Sequence, residues 1–247
     1  YARGMRNPWD MCMDSGFNWL ATDNDPGRPG ERIFMPIRHA HYSMRHPWKF
    51  DWMGKHPAVA PSSDLFPTVS GSGTGVVYYN STHFPESYRN RYLIADWTNN
   101  CVFLYNPKWD GALQVPAEKK RKIADGGLTR GGDLGYKGGE GRALFRPTDI
   151  EVGPDGALYI AGWGSVYGTE YVPKDQWTAE ENAKYQGRVF RLRHQDPLIP
   201  RSQWDTAKRK KDIQQWAYEE LLEDIGHQVH VWRVHAQDEL VRRGVGV

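Results

Sequence analysis

Short runs of alternating apolar and polar residues fill the chain up to about residue 193, and one such pattern is written more than once. Residues 6–23 read Arg-Asn-Pro-Trp-Asp-Met-Cys-Met-Asp-Ser-Gly-Phe-Asn-Trp-Leu-Ala-Thr-Asp. Residues 146–163 read Arg-Pro-Thr-Asp-Ile-Glu-Val-Gly-Pro-Asp-Gly-Ala-Leu-Tyr-Ile-Ala-Gly-Trp. Pro8 matches Pro147, Asp10 matches Asp149, Gly16 matches Gly156 and Ala21 matches Ala161. Each copy predicts strand, turn and strand, with Asp and Gly supplying the positive φ angles of a hairpin turn. A partial third copy, Tyr92-Leu93-Ile94-Ala95-Asp96-Trp97, repeats the second strand alone. One hairpin cannot bury its own apolar face, and repetition of small antiparallel sheets around an axis solves that problem.

Further strands are predicted at Ile33–Ile37, at 74–80, as a pair within 91–105 turning at Asn99-Asn100, and at 187–193, which closes the sheet. Residues 51–70 read as loop because Pro57, Pro61 and Pro67 interrupt them, and 106–142 read as a long Gly- and Lys-rich connection. A short helix is expected at Ala179–Tyr185. From residue 212 the period changes. Ile213, Trp216, Leu221, Leu222 and Ile225 follow helical spacing up to Gly226; Val231, Val234, Ala236, Leu240 and Val241 mark the inward side of a second helix ending at Arg242-Arg243-Gly244. Together they read as one solenoid-type helical pair with an apolar face left for a neighbour. Lys208–Lys211 reads as a solvated linker.

Of the 247 residues, 39% are hydrophobic, enough for a packed core. Twenty-six Gly, 16 Pro and 13% aromatic residues tilt the fold toward all-β. A net charge of +2 gives no general signal for nucleic acid. No apolar run reaches transmembrane length. Cys12 and Cys101 lie in strand-like runs and read as buried free thiols. A start at Tyr1 and an end in an unfinished helical pattern read as an internal piece of a longer protein.

Three groups could carry chemistry. Asp23-Asn24-Asp25-Pro26-Gly27, with Glu31 close behind, crowds oxygens on a turn; it suits calcium, or is simply a polar turn. Arg6 and Arg146 precede Pro at equivalent points of the two copies. They either converge on one central cavity that suits a carboxylate-bearing ligand or pair locally. His39, His41 and His46, with Tyr42 and Arg45, form either a base or metal site or a polar loop. Trp19, Trp97 and Trp163 read as sheet core.

These stretches — Gly4-Met-Arg-Asn-Pro8, Thr22-Asp-Asn-Asp-Pro-Gly-Arg-Pro-Gly-Glu-Arg32 and Phe145 to Trp163 — resemble the soluble glucose and aldose sugar dehydrogenases, six-bladed β-propellers that use pyrroloquinoline quinone (PQQ) and calcium. The resemblance covers about residues 1–195. The tail, Trp232 to Gly244, is similar to a HEAT repeat. The order of propeller and then HEAT repeats resembles large secreted bacterial proteins of the membrane-bound dehydrogenase type, common in planctomycetes, which often end in a c-type cytochrome domain. The resemblance implies an all-β partial six-bladed propeller (1–199), a linker (200–211) and a truncated first HEAT-like helical hairpin (212–247). It implies oxidation of a sugar or polyol with PQQ and calcium, a cytochrome acceptor, haem c only beyond this chain, and a periplasmic or extracellular location.

Residue by residue, Arg6 and Asn7 match the pair contacting substrate and quinone, with Arg6 catalytic. Asn24, Asp25 and Pro26 match the loop holding the quinone-bound calcium; Glu31 and Tyr42 fall near a second calcium. Arg146 matches one of two arginines gripping the quinone carboxylates. The other arginine is Thr148 here, the quinone-pairing lysine falls near Thr98, and the histidine base would precede Tyr1. A glycan- or protein-binding propeller and a calcium-dependent lactonase-like hydrolase are the alternatives.

Overall fold

The computed structural model describes residues 1–24, 32–42, 60, 62–66, 73–126, 145–163, 187–197 and 199–244. The expected helix at Ala179–Tyr185 lies outside them. The described chain is mostly β. Strands β1 (Pro8–Met13), β2 (Trp19–Asp23), β3 (Arg32–Phe34) and β4 (Asp64–Leu65) form one sheet in chain order, each antiparallel to the next. A second sheet is ordered β5 (Gly73–Tyr79), β6 (Arg91–Asp96), β7 (Cys101–Tyr105) and β10 (Arg121–Asp125). β8 (Pro107–Asp110) and β9 (Leu113–Pro116) form a separate hairpin inserted between β7 and β10. A third sheet holds β11 (Pro147–Val152), β12 (Leu158–Gly162) and β13 (Arg188–Leu192). Sheets of consecutive strands are the blades of a propeller-like β fold.

The repeat marks these sheets as expected: both full copies are the first two strands of a sheet, and the partial copy, β6, is a second strand. The turn chemistry differs between copies. In the second, Gly156 takes the positive angle (φ 78°); in the first it falls on Phe17 (φ 64°), while Asp14 Oδ1 accepts the N–H groups of Gly16 (2.8 Å) and Asn18 (2.9 Å). Three expectations need correction. The stretch 106–142 contains three strands up to residue 125, because Asp110-Gly111, with Gly111 at φ 59°, turns a hairpin and β10 is a charged edge. The strand expected at Ile33–Ile37 is only Arg32–Phe34. Trp19 and Trp163 are exposed and Trp97 is half-buried, so none of the three is sheet core.

The chain divides into two compact units: residues 1–78, 91–150 and 160–190, and residues 79–90, 151–159 and 191–247. In the first, Leu20, Ile33 and Phe66 pack with Val76, Tyr92, Ile94, Cys101, Phe103 and Tyr105. Each such buried side chain contributes about 1.5–3 kcal/mol. Cys101 is buried and Cys12 half-buried; both are free thiols, and burial pushes the Cys101 thiol up.

The second unit carries α1 (Arg201–Trp204), α2 (Tyr218–Ile225) and α3 (His230–Arg242). The helix expected from Ile213 is instead a 3-10 turn at Ile213–Gln215, and α2 starts afresh after an extended Ala217. That break resets the helical phase. Trp216 and Leu221 face inward, whereas Leu222 and, on α3, Val241 are 60% and 57% exposed. Ile225 is also exposed. Nor is Lys208–Lys211 a solvated linker. Arg209 stacks over Trp232 (4.1 Å) and Trp216 (5.2 Å) and pairs with Asp224, which also accepts from Lys208 Nζ (3.0 Å).

His83, His227 and His230 of this unit accept hydrogen bonds through a ring nitrogen. His83 Nε2 takes the His194 N–H (3.1 Å), so its Nδ1 donates to the Asp155 carbonyl (3.0 Å). His227 Nδ1 takes the Val229 N–H (3.0 Å), and His230 Nδ1 takes Arg233 Nη2 (3.3 Å). Burial, before all else, holds all three below the ordinary imidazole range. They are mostly neutral in both folded and unfolded states above about pH 6.5, and below it the unfolded chain takes up protons more readily than the folded one. Stability should therefore fall between pH 7 and 5, by at most about 1.4 kcal/mol per pH unit for each histidine. Thermal melts across that range check this; a flat profile would contradict it.

Candidate functional site

Three first strands meet within the first unit. The Val76 N–H donates to Asp10 Oδ2 (2.8 Å), joining β5 to β1. Thr74 Oγ1 donates to the Pro147 carbonyl (2.8 Å), joining β5 to β11. A Cβ on Gly75 would lie 2.6 Å from Asp149 Cα, so only glycine permits that approach. Trp9 Nε1 donates to the Thr148 carbonyl (2.8 Å), joining β1 to β11. The register of β1 against β2 slips between Pro8 and Met11, which marks a bulge at Trp9 and Asp10.

The residues singled out in the sequence lie where these first strands begin and second strands end. Arg6 and Asn7 open β1, Arg146 precedes β11, Asn24 follows β2, and Trp163 follows β12. Asp23 holds the first group together. Its Oδ1 accepts the N–H groups of Asn7 (2.8 Å) and Arg6 (3.2 Å); its Oδ2 accepts Arg32 Nε (2.9 Å) and Nη2 (2.7 Å). Asp23 and Arg32 are both buried, and Arg32 Nη1 also donates to the Tyr42 carbonyl (2.6 Å). The Asp23 carboxylate is thus engaged by Arg32 and two backbone amides. Arg6, exposed, reaches Asn24: its Nη1 donates to the main-chain oxygen (3.0 Å) and to Oδ1 (3.3 Å). Asn24 N–H closes the ring on the Asn7 carbonyl (3.1 Å).

Arg146 is buried, with its guanidinium 4.6 Å from the centre of the Trp97 ring. Thr148 donates its hydroxyl to the Ala161 carbonyl (3.1 Å). Thr98 sits in the turn expected at Asn99-Asn100, which Asp96 shapes by accepting Asn99 N–H (3.0 Å) and Nδ2 (2.6 Å). Asp25, Pro26, Glu31, Arg45 and His46 lie outside the described residues. His39 is exposed and His41 buried. Tyr42 is core: it packs on Phe34 (4.6 Å), and its hydroxyl donates to the Met35 carbonyl and accepts Ile37 N–H (3.1 Å). Among the described residues no three His, Cys, Asp or Glu side chains gather to hold a metal. No described helix is long and apolar enough to cross a membrane.

Sequence reasoning passed over Arg32 and Asp10. Arg32 ends the stretch read as a cation loop, and its role needs Asp23 beside it in space. Burial raises the Asp10 carboxyl above its ordinary range, and the nearby charge of Asp149 adds to this. Their matched places in the repeat were the available signal.

A family model described as a domain of unknown function, DUF7133, matches residues 2–196. No curated protein matches the chain. Among solved structures, an oxidoreductase described as a glucose dehydrogenase from Thermus thermophilus aligns with a TM-score of 0.50 at 14% identity, over 78% of this chain and 46% of its own. The PQQ-bound aldose sugar dehydrogenase of Streptomyces coelicolor aligns at 0.48 and 12%, over 78% and 45%. The apo soluble aldose sugar dehydrogenase of Escherichia coli aligns at 0.41 and 20%, over 66% and 43%. The first of these shows a shared fold. This chain spans under half the length of each.

Proposed function

We propose that this chain, which belongs to the DUF7133 family, is part of an oxidoreductase that acts on a sugar or related polyol with PQQ as cofactor. The observation that carries the reading is the ring Arg6–Asn24–Asn7–Asp23 at the start of β1, with Arg146 at the equivalent point of β11. The fold shared with a described glucose dehydrogenase supports it.

The donor set fits a planar anionic group: Arg6 offers an exposed guanidinium and Arg146 one already backed by an indole. In this reading Arg146 grips a cofactor carboxylate, and Arg6 with Asn7 orients the substrate. Arg6 also stabilises negative charge developing on the substrate oxygen, which is catalytic only because Asp23 fixes its backbone. When bound, the quinone supplies the two-electron oxidant. Calcium would draw on Asn24, Asp25, Pro26 and Glu31, and the Asn24 carbonyl accepts from Arg6 in this structure. With this reading go three further proposals: a HEAT-type role for the α2–α3 hairpin, a periplasmic or extracellular location, and a c-type cytochrome as electron acceptor.

Thr98 and Thr148, standing where the resemblance implies lysine and arginine, favour a second reading: a propeller that binds a sugar without oxidising it. Reconstitution separates the two. The full-length protein, supplied with PQQ and calcium, should reduce a dye in the presence of aldoses and lose that activity in chelator. Arg6→Ala should lower turnover with little change in quinone affinity, since its role is at the transition state. No aldose-dependent reduction would reject the dehydrogenase and leave the binding reading ahead.

A further inference from the structure

We propose that His227 and His230, with His83 beside them, make the seat of α3 an acid-released latch: on taking up protons they let the start of the helix leave residues 79–84 and the β11–β12 turn while the sheets stay folded. The latch is independent of the quinone reading.

The seat lies wholly within the second unit. Val229, which precedes α3, is buried against the β11–β12 turn: a Cβ on Gly156 would meet Val229 Cγ2 at 3.5 Å, Ile199 Cδ1 at 3.5 Å and His83 Cβ at 2.9 Å. Around that contact the attachment is polar. The His230 N–H donates to Ser81 Oγ (3.0 Å), Thr82 Oγ1 to Gln228 Oε1 (3.0 Å), and Trp232 Nε1 to the Pro154 carbonyl (2.7 Å). Arg233 spans the seat, donating Nη1 to the His227 carbonyl (2.6 Å) and Nη2 to the Asn80 carbonyl (2.7 Å). No side chain caps the start of α3, so its attachment rests on these bonds.

Each imidazole accepts from a group that can only donate: His230 Nδ1 from Arg233 Nη2, His227 Nδ1 from the Val229 N–H, and His83 Nε2 from the His194 N–H. A proton on any of these nitrogens sets two donors head to head, and that bond must break. The surrounding charges do not offset this. His230 faces Arg233, a permanent cation. His227 faces Arg209 and Lys208; the anion beside it, Asp224, is already paired with both. His83 faces Arg191 and His194, and the Asp155 carboxylate answers Arg191. A proton on His230 therefore drives Arg233 off the Asn80 carbonyl, and one on His227 frees the Val229 amide. Released histidines regain the ordinary imidazole range, so release grows as pH falls through about 6.5, by at most about tenfold per histidine per pH unit.

Hydrogen exchange read by mass spectrometry tests this on the full-length protein between about pH 7.5 and 5.5, corrected for the pH dependence of intrinsic exchange. Protection over residues 227–236 should fall at least about tenfold, and at the acid end β6 and β7 should remain at least about tenfold better protected. His227→Asn with His230→Asn places an amide oxygen near each Nδ1, an acceptor that takes no proton, and should remove most of the fall. His39→Asn removes an exposed histidine of the first unit, at a φ of 65° that asparagine also accepts, and should leave the fall intact. Should the double variant not fold, ring-proton NMR of the parent decides: His227 and His230 should titrate below the ordinary imidazole range, in step with the loss of protection. No fall in the parent, an equal fall in the folded double variant, loss of protection in β6 and β7 to the level of α3, or titration of both histidines at about 6.5 or above would each overturn the latch.

Discussion

Asp23→Ala should destabilise the protein by about 3–5 kcal/mol, the range for removing one partner of a buried ion pair. The substitution strands the buried Arg32 guanidinium, which would keep only its carbonyl partners, Tyr42 and, more distantly, Gly4 (3.5 Å). It also releases the amides of Arg6 and Asn7. Asp23→Asn should cost less, because an amide oxygen still accepts from those two N–H groups. The double change Asp23→Leu with Arg32→Met should recover much of the loss, since two buried charges leave together. Denaturant midpoints measure all three. The functional consequence is separate: Asp23 is a positioning residue for Arg6 and Asn7, so turnover should drop in Asp23→Asn, with little change in quinone affinity, even under conditions where it is fully folded. If Asp23→Ala were as stable as the parent, the pair would not organise this end of the sheets.

The second large effect lies in the helical unit. Asp224 is buried and answers two cations, Arg209 in a forked pair and Lys208 at 3.0 Å. Arg209 is itself held against Trp216 and Trp232, whose rings stack with centroids 6.0 Å apart. Asp224→Ala should therefore cost about 3–5 kcal/mol by leaving Arg209 buried and uncompensated. Arg209→Met with Asp224→Leu should be far milder, since both side chains lie among apolar rings. Glu239 supplies the contrast. Hydrogen bonds from Arg242 first, and also Arg243, bring its carboxyl down to about 2, but Arg242 is itself exposed, so that pair contributes less than Asp224. Chemical denaturation monitored by tryptophan fluorescence reads these variants directly, because Trp216 and Trp232 line the pair.

Local patterns made the sheets legible. Two copies of a Pro-x-Asp strand followed by an Ala-containing strand marked the first and second strands of two sheets, and the partial copy marked the second strand of another. The hairpin β8–β9 was equally local, yet Pro107 and Pro116 at its ends and the surrounding lysines disguised its Asp-Gly turn. Pairings made across space were not legible. Lys208 and Arg209 looked like a solvated run because Trp216, Asp224 and Trp232 follow up to 24 residues later. Asp23 looked like a metal ligand because its neighbours are Asn24 and Asp25, whereas its counter-charge comes from Arg32. Trp19, Trp97 and Trp163 looked like core because aromatic residues in strands usually are, yet Trp19 and Trp163 are exposed and Trp97 is half-buried against the Arg146 guanidinium.

The most direct measurement is an equilibrium titration of the full-length protein with PQQ, for the parent, Arg146→Ala and Arg146→Lys. The parent should bind at micromolar protein. Arg146→Ala should weaken binding by about 10- to 150-fold, the loss of one charge-assisted hydrogen-bonded contact, and Arg146→Lys should fall between, keeping the charge but not the fork. No quinone binding at micromolar protein, or equal binding by folded Arg146→Ala, would contradict an anionic cofactor at this site.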